Sequence, residues 1–295
     1  MRSQPSWTAQ SVAMEVSIIA EDQRFRYLIS DGVKETTEMI LKTLPGLRGK
    51  FAGLARLSGF RKVLGLVERM IAPNKALYLA LRKRWIEEQV KESLKNGITQ
   101  ILILGAGFDT LAYRLHQEYT DVMWIEMDHP ATQSVKKSAL VRYGNLQPNL
   151  QFVSCDLSYD PKLTALIGEP FYDCRKKTLY IAEGLLAYLD RQTASNIMRT
   201  LQKCGGVGSR LLGTMNASNG SPNPLVNLKL KLIGEPYRWG LAPELLPGYL
   251  RGLAWEASEI KKGQALADQY LREKTILRIP EDEYLFSAIK HLGMI

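Results

Sequence analysis

Apolar positions recur at helical spacing through the first hundred residues and then give way to short runs. Ile18, Ile19, Phe25, Leu28 and Ile29 make one stripe, and Met39, Ile40 and Leu44 another, which Pro45-Gly46 breaks. Leu57, Phe60, Val63, Leu64, Val67 and Ile71 carry the period on to a second break at Pro73-Asn74. Leu77, Leu81, Trp85, Ile86, Val90 and Leu94 then predict a helix that stops at Gly97. After it come short apolar runs at residues 100–104, 122–125, 151–154, 178–182 and 210–215, and two late ones at 255–260 and 284–289. Helical stretches separate several of them. One is Ala194, Ile197, Met198 and Leu201, opened by Asp190 as N-cap and closed by Gly205-Gly206. Strands alternating with helices predict a parallel α/β sheet covered on both faces. Ligands of such sheets bind outside the carboxyl ends of the strands. Four consecutive runs end there in Gly105, Asp128, Asp156 and Glu183.

Gly105-Ala106-Gly107 follows one of these runs and precedes a helical stretch from Thr110 to His116. Glycine admits a ligand close to the backbone, and a helix start offers unpaired amides. A dinucleotide site would need a third glycine where Thr110 stands, so that a pyrophosphate could rest on the helix. Asp109 also places a negative charge there, which suits the cationic amino-acid end of a ligand instead. Asp128 follows the turn by about twenty residues, the spacing at which an acid meets ribose hydroxyls. Asp156 and Leu157 end the next run, where an adenine amino group would be read. Taken singly, each feature also fits a tight turn or a helix cap.

Composition narrows the partners. The chain has 295 residues, 45% of them hydrophobic, which is ample for a sizeable core. No run reaches the roughly 18 apolar residues of a membrane span, and residues 1–16 lack a secretory pattern. The expectation is a cytoplasmic protein with no membrane partner. Cys155, Cys174 and Cys204, with His116, His129 and His291, are too scattered for a disulfide framework or a metal site. The net charge of +9 would steer an acidic partner. Much of the excess lies between Arg48 and Arg84, where aromatic residues are sparse. That stretch reads as the solvated face of amphipathic helices rather than a nucleic-acid surface.

The run Leu104-Gly105-Ala106-Gly107-Phe108-Asp109-Thr110-Leu111-Ala112-Tyr113-Arg114-Leu115 resembles the LGAGxDTxxxRL signature of the leucine carboxyl methyltransferase family. Ile125 to Pro130 resembles that family's EvDxP segment, Cys155-Asp156-Leu157 its aDL segment, and Ile181 to Leu189 its aEgvlxYL segment. Arg82 to Glu88 is similar to the RTRFFDD stretch of bacterial members. The resemblance implies a Rossmann-like class I methyltransferase with a mostly parallel seven-stranded sheet. Residues 1–97 would form a helical lid and substrate region. Residues 98–295 would form the core, with a substrate-side insertion at about 216–249. It implies S-adenosylmethionine as cofactor. Arg82 would grip its carboxylate, Gly105 would line its methionine part, and Glu183 would lie by its amino-acid end; Ala106, Gly107 and Asp109 are further candidate cofactor contacts. Asp128 would hold the ribose, and Asp156 and Leu157 would frame the adenine. The family's basic residue in the lid helix has no counterpart in Ser11 to Glu15; Arg24 and Arg26 are the nearby candidates.

The implied reaction is O-methylation of a carboxylate on a small acid, with protein C-terminal carboxyl methylation as the second enzyme reading. A carboxylate is already ionised at neutral pH and needs no general base; none is nominated. Tyr188 and Arg238 are the candidate substrate contacts. A basic nucleic-acid-binding protein and a cofactor-binding scaffold are the readings of other classes. Oligomeric state is not legible in the sequence.

Overall fold

The computed structural model describes residues 4–46, 72–158, 163–166, 168–273 and 277–290. The stripe from Leu57 to Ile71, most of the basic stretch from Arg48, and His291 lie outside these residues.

Among the described residues three helices come first: α1 (Trp7–Glu21), α2 (Val33–Lys42) and α3 (Lys75–Lys95). The stripe that ran from Ile18 to Ile29 divides. Helix α1 ends at Glu21, and Leu28 sits in a separate 3-10 turn, Arg26–Leu28. The cause is Asp22, whose carboxylate accepts from the Arg24 backbone N–H at 2.9 Å and competes with helix continuation.

The strands are β1 (Gln100–Leu104), β2 (Met123–Asp128), β3 (Leu150–Ser154), β4 (Thr178–Ala182), β5 (Arg210–Asn216), β6 (Trp255–Lys262) and β7 (Glu283–Lys290). They form one seven-stranded sheet in the order β3-β2-β1-β4-β5-β7-β6. The first five strands are parallel, and β7 inserts antiparallel between β5 and β6. The connecting helices are α4 (Leu111–Leu115), α5 (Pro130–Tyr143), α6 (Leu163–Leu166), α7 (Arg191–Lys203), α8 (Pro224–Leu232), α9 (Leu246–Arg251) and α10 (Gly263–Tyr270). As expected, Asp190 caps α7, its carboxylate accepting from the Thr193 N–H at 2.8 Å.

Alternation along the strands sends side chains to two cores. Ile101, Ile103, Trp124, Leu179 and Ile181 pack with α3 on one face. Leu102, Leu104, Ile125, Met127 and Tyr180 pack with α7 on the other. Both faces are thus buried, which is why these strands read as continuous apolar runs. Helices α1 and α2 pack beside α5 through Ala13, Met14, Ile40, Leu41 and Leu140. This places α1 across the carboxyl ends of the strands.

Candidate functional site

The glycine turn leaves β1 with Gly105 at φ +65° and Gly107 at φ +51°, both left-handed. A Cβ on Gly105 would come within 3.0 Å of Leu185 Cδ1, and one on Gly107 within 3.2 Å of Ala9 Cβ in α1. Asp128 holds the turn in place. One carboxylate oxygen accepts from the Gly107 N–H, and the other accepts from the His129 N–H at 2.6 Å. Burial raises the Asp128 pKa, and these amide bonds only partly oppose the rise. A carboxylate offers about four lone-pair directions, so two remain for a ligand's hydroxyls. Asp156 stands at the mouth. Its carboxylate accepts from the Ser158 N–H at 3.0 Å and the Ser158 hydroxyl at 2.6 Å. Burial acts to raise its pKa, but the Ser158 bonds and the His129 charge bring it below the usual range.

A network of five ionised groups occupies the space between α3, the glycine turn and the end of β4. Arg82 Nε donates to Glu183 Oε1 at 2.9 Å, and its Nη1 donates to Glu283 Oε2 at 2.8 Å. Lys83 Nζ donates to Glu183 Oε2 at 2.9 Å and also pairs with Asp109. Arg82 is only 5% exposed, which removes the reading of a solvated helix arginine. Desolvation alone would lower its pKa; the facing Glu283 and Glu183 charges more than reverse that, so it stays charged. Asp109 balances the other way. Burial would raise it, yet Lys83, Lys136 and the Leu111 N–H hold it well below the ordinary carboxylate range. Lys83 and Glu283 were not among the residues expected from sequence. Lys83 looked like one of three successive basic helix residues, and Glu283 lies outside every motif segment.

The residues expected at the cofactor, Arg82, Gly105 to Gly107, Asp109, Asp128, Asp156, Leu157 and Glu183, all line one cavity of about 1500 Å³. A single ligand site usually takes about 300–1,000 Å³, so there is room for a second molecule. Tyr188 lines the far part, its ring 5.2 Å from that of Tyr237, which sequence reasoning missed. Burial pushes the Tyr188 pKa up to about 12 and that of Tyr237 higher still, so both hydroxyls stay protonated. Arg238 lies at the cavity rim with an exposed side chain, and its backbone N–H donates to Ala187 O at 2.7 Å. His129 also lines the cavity, its Nε2 3.8 Å from Asp156. His116 is buried away from it, between Tyr113 O and the Gln147 N–H. Among the described residues no His, Cys, Asp and Glu cluster suits a metal ion. No helix among them is long and apolar enough to cross a membrane.

The cradle fits the cofactor that the motifs implied. Two glycines without Cβ atoms lie beside a carboxylate with spare lone pairs, and next to them a buried guanidinium touches a carboxylate. A zwitterionic amino-acid end is complementary to that last pair.

Sheet order, glycine turn and strand-end acids together define a class I methyltransferase fold. Solved structures share it: a "putative methyltransferase" from Thermobifida fusca YX has a TM-score of 0.57 at 16% identity, covering 98% of this chain and 96% of that one. A DUF574 family protein from Streptomyces avermitilis MA-4680 has a TM-score of 0.59 at 14% identity, covering 95% and 97%. Residues 65–202 of the chain match the family model described as leucine carboxyl methyltransferase. Among its relatives is a "Putative S-adenosyl-L-methionine-dependent methyltransferase" of Mycobacterium avium (strain 104), 31% identical over 55% of this chain and 50% of that protein. Another of the same name and organism is 26% identical over 72% and 71%. The first match spans about half the length of its relative.

Proposed function

We propose that the protein is an S-adenosylmethionine-dependent O-methyltransferase that esterifies a carboxylate on a small acid. The observation that carries the reading is the Arg82–Glu183 pair, 2.9 Å apart and buried beside the glycine turn. Arg82 would take the cofactor's carboxylate and Glu183 its ammonium. Asp128 would accept from the ribose hydroxyls with the lone pairs that Gly107 and His129 leave unused. Asp156 and Leu157 would frame the adenine. Residues 1–97 act as lid and substrate region, and residues 98–295 as the core.

S-adenosylmethionine, when bound, supplies a methyl group on a positively charged sulfur. The chain's own task is alignment, which supplies up to about 7–11 kcal/mol in well-oriented reactions. An acceptor carboxylate, already ionised at neutral pH, requires no proton transfer. Tyr188 and Tyr237, held in their protonated forms, serve as hydrogen-bond donors to the acceptor and not as bases. Arg238 at the rim would attract the acid during entry.

Calorimetric titration with S-adenosylhomocysteine tests the cofactor, and transfer of labelled methyl groups to a panel of carboxylic acids tests the acceptor. Methyl esters release volatile methanol in mild base. Base-stable label would overturn the carboxylate reading, and failure of the folded protein to bind S-adenosylhomocysteine would overturn the whole of it.

A further inference from the structure

The first turn of α1 lies directly over the glycine turn. Ala9 is the nearest neighbour that a Cβ on Gly107 would meet, at 3.2 Å. A ligand lodged against Gly105 to Gly107 would therefore lie beneath the first turn of α1, and the position of α1 bounds its way in and out. A buried contact holds the helix start in place.

That contact is Glu235, from the loop that follows α8. Its side chain is buried at 6% exposure. Oε1 accepts from the Trp7 N–H at 2.9 Å, and Oε2 accepts from the Thr8 N–H at 2.9 Å and the Ser6 hydroxyl at 3.1 Å. These are amides at a helix start, which have no partner within the helix, and a carboxylate there also meets the positive end of the helix dipole. A second tie runs to the core, where the Ser6 N–H donates to Thr132 Oγ1 of α5 at 3.0 Å. Glu235 and Thr132 both line the same cavity as Asp128 and Tyr188. The lid is thus fastened at its N-terminal turn to the substrate-side segment on one side and to the core on the other.

We infer that Glu235 is a positioning residue, clamping α1 over the glycine turn and setting the rate at which the cofactor enters and leaves. The gating part rests on the cofactor reading above; the clamp itself does not. Removing the carboxylate takes an acceptor from the Trp7 and Thr8 amides and from the Ser6 hydroxyl, and α1 opens more often while the sheet beneath keeps its contacts.

The test uses the full chain as wild type, Glu235→Gln, Glu235→Ala and Ser6→Ala. Hydrogen exchange on the ligand-free protein reads the clamp. Protection across α1 should fall at least tenfold in Glu235→Ala, less in Glu235→Gln and least in Ser6→Ala, with β1 and β4 unchanged. Stopped-flow binding of S-adenosylhomocysteine reads the gate. Association and dissociation rates should both rise in that order, by at least tenfold for Glu235→Ala. Unchanged α1 exchange in Glu235→Ala overturns the clamp, and loosened exchange with unchanged ligand rates overturns the gate. Equal loss of protection in α1 and the sheet would mean a merely structural role, and Ser6→Ala, which leaves the carboxylate in place, guards against a Glu235 variant that does not fold. A wild type that binds no S-adenosylhomocysteine overturns the cofactor reading and the gate together, while the exchange arm still decides the clamp.

Discussion

Arg82→Met removes the guanidinium from the network while keeping an unbranched apolar stem of good helix propensity. Arg82 and Glu183 side chains are 6% and 7% exposed, and Glu283 is 17% exposed, so solvent screens the pairs little. Removing one partner of a buried pair costs about 3–5 kcal/mol, because the remaining charge stays buried. Glu183 keeps Lys83 at 2.9 Å, which offsets part of the loss. The expected fall in unfolding free energy is therefore at the lower end, about 3 kcal/mol. Urea unfolding followed by tryptophan fluorescence measures it. Adding Glu283→Gln should restore roughly 1 kcal/mol or more, since one stranded charge is gone. A second readout separates fold from recognition. Arg82→Met should weaken S-adenosylhomocysteine by about 1.5–3 kcal/mol, the value of hydrogen bonds to a charged group. It should barely affect 5′-methylthioadenosine, which lacks the amino-acid end. A single variant within about 1 kcal/mol of wild type would refute the buried-pair argument, and equal losses for both ligands would refute the assignment of Arg82 to the carboxylate.

Asp128→Asn should weaken S-adenosylhomocysteine at least tenfold by calorimetry, because an amide nitrogen cannot accept from the Gly107 N–H or from a ribose hydroxyl; an unchanged affinity would remove Asp128 from the site. Gly105→Ala should cost about 1–2 kcal/mol for the left-handed backbone alone, and more because its methyl would meet Leu185 Cδ1 at 3.0 Å; a variant as stable as wild type in urea would show that the turn can relax. Glu126 supplies a pH signature. Burial pushes its pKa up to about 7 although Lys136 lies 2.6 Å away. A carboxyl whose folded pKa is raised contributes stability that is complete below its unfolded value of 4.5 and is lost as pH rises towards about 7. The double variant Glu126→Gln/Lys136→Met should flatten that decline in urea titrations between these pH values, and an unchanged slope would assign the decline to other groups.

The strands and the glycine turn were legible because their causes are local. A strand buried on both faces is a run of apolar residues, and a left-handed turn between strand and helix calls for glycine, so both can be read within ten residues of chain. The second core strand pair was harder. Residues 255–260 and 284–289 showed strand character, yet nothing in them reports that β7 inserts antiparallel between β5 and β6. That insertion is what brings Glu283, the first residue of β7, to Arg82, 201 positions earlier. Glu235 is hidden for the same reason, since its partners Ser6, Trp7 and Thr8 lie 227 to 229 positions away. Carboxylates that act through long-range pairing have no local signature, because the residue types around them are set by their own loops.

Charge shows where composition misleads. The excess between Arg48 and Arg84 suggested a solvated basic face, and the described part of it divides between surface and interior. Lys75 lies 4.0 Å from Glu15, and Arg84 pairs with Glu88 at 2.7 Å on the helix surface. Arg82 and Lys83 turn inward, where two cations meet Asp109, Glu183 and Glu283. Two positive charges against three negative ones leave this network at −1, opposite in sign to the +9 of the whole chain. The net charge of the sequence would therefore have predicted the local charge of these contacts with the wrong sign.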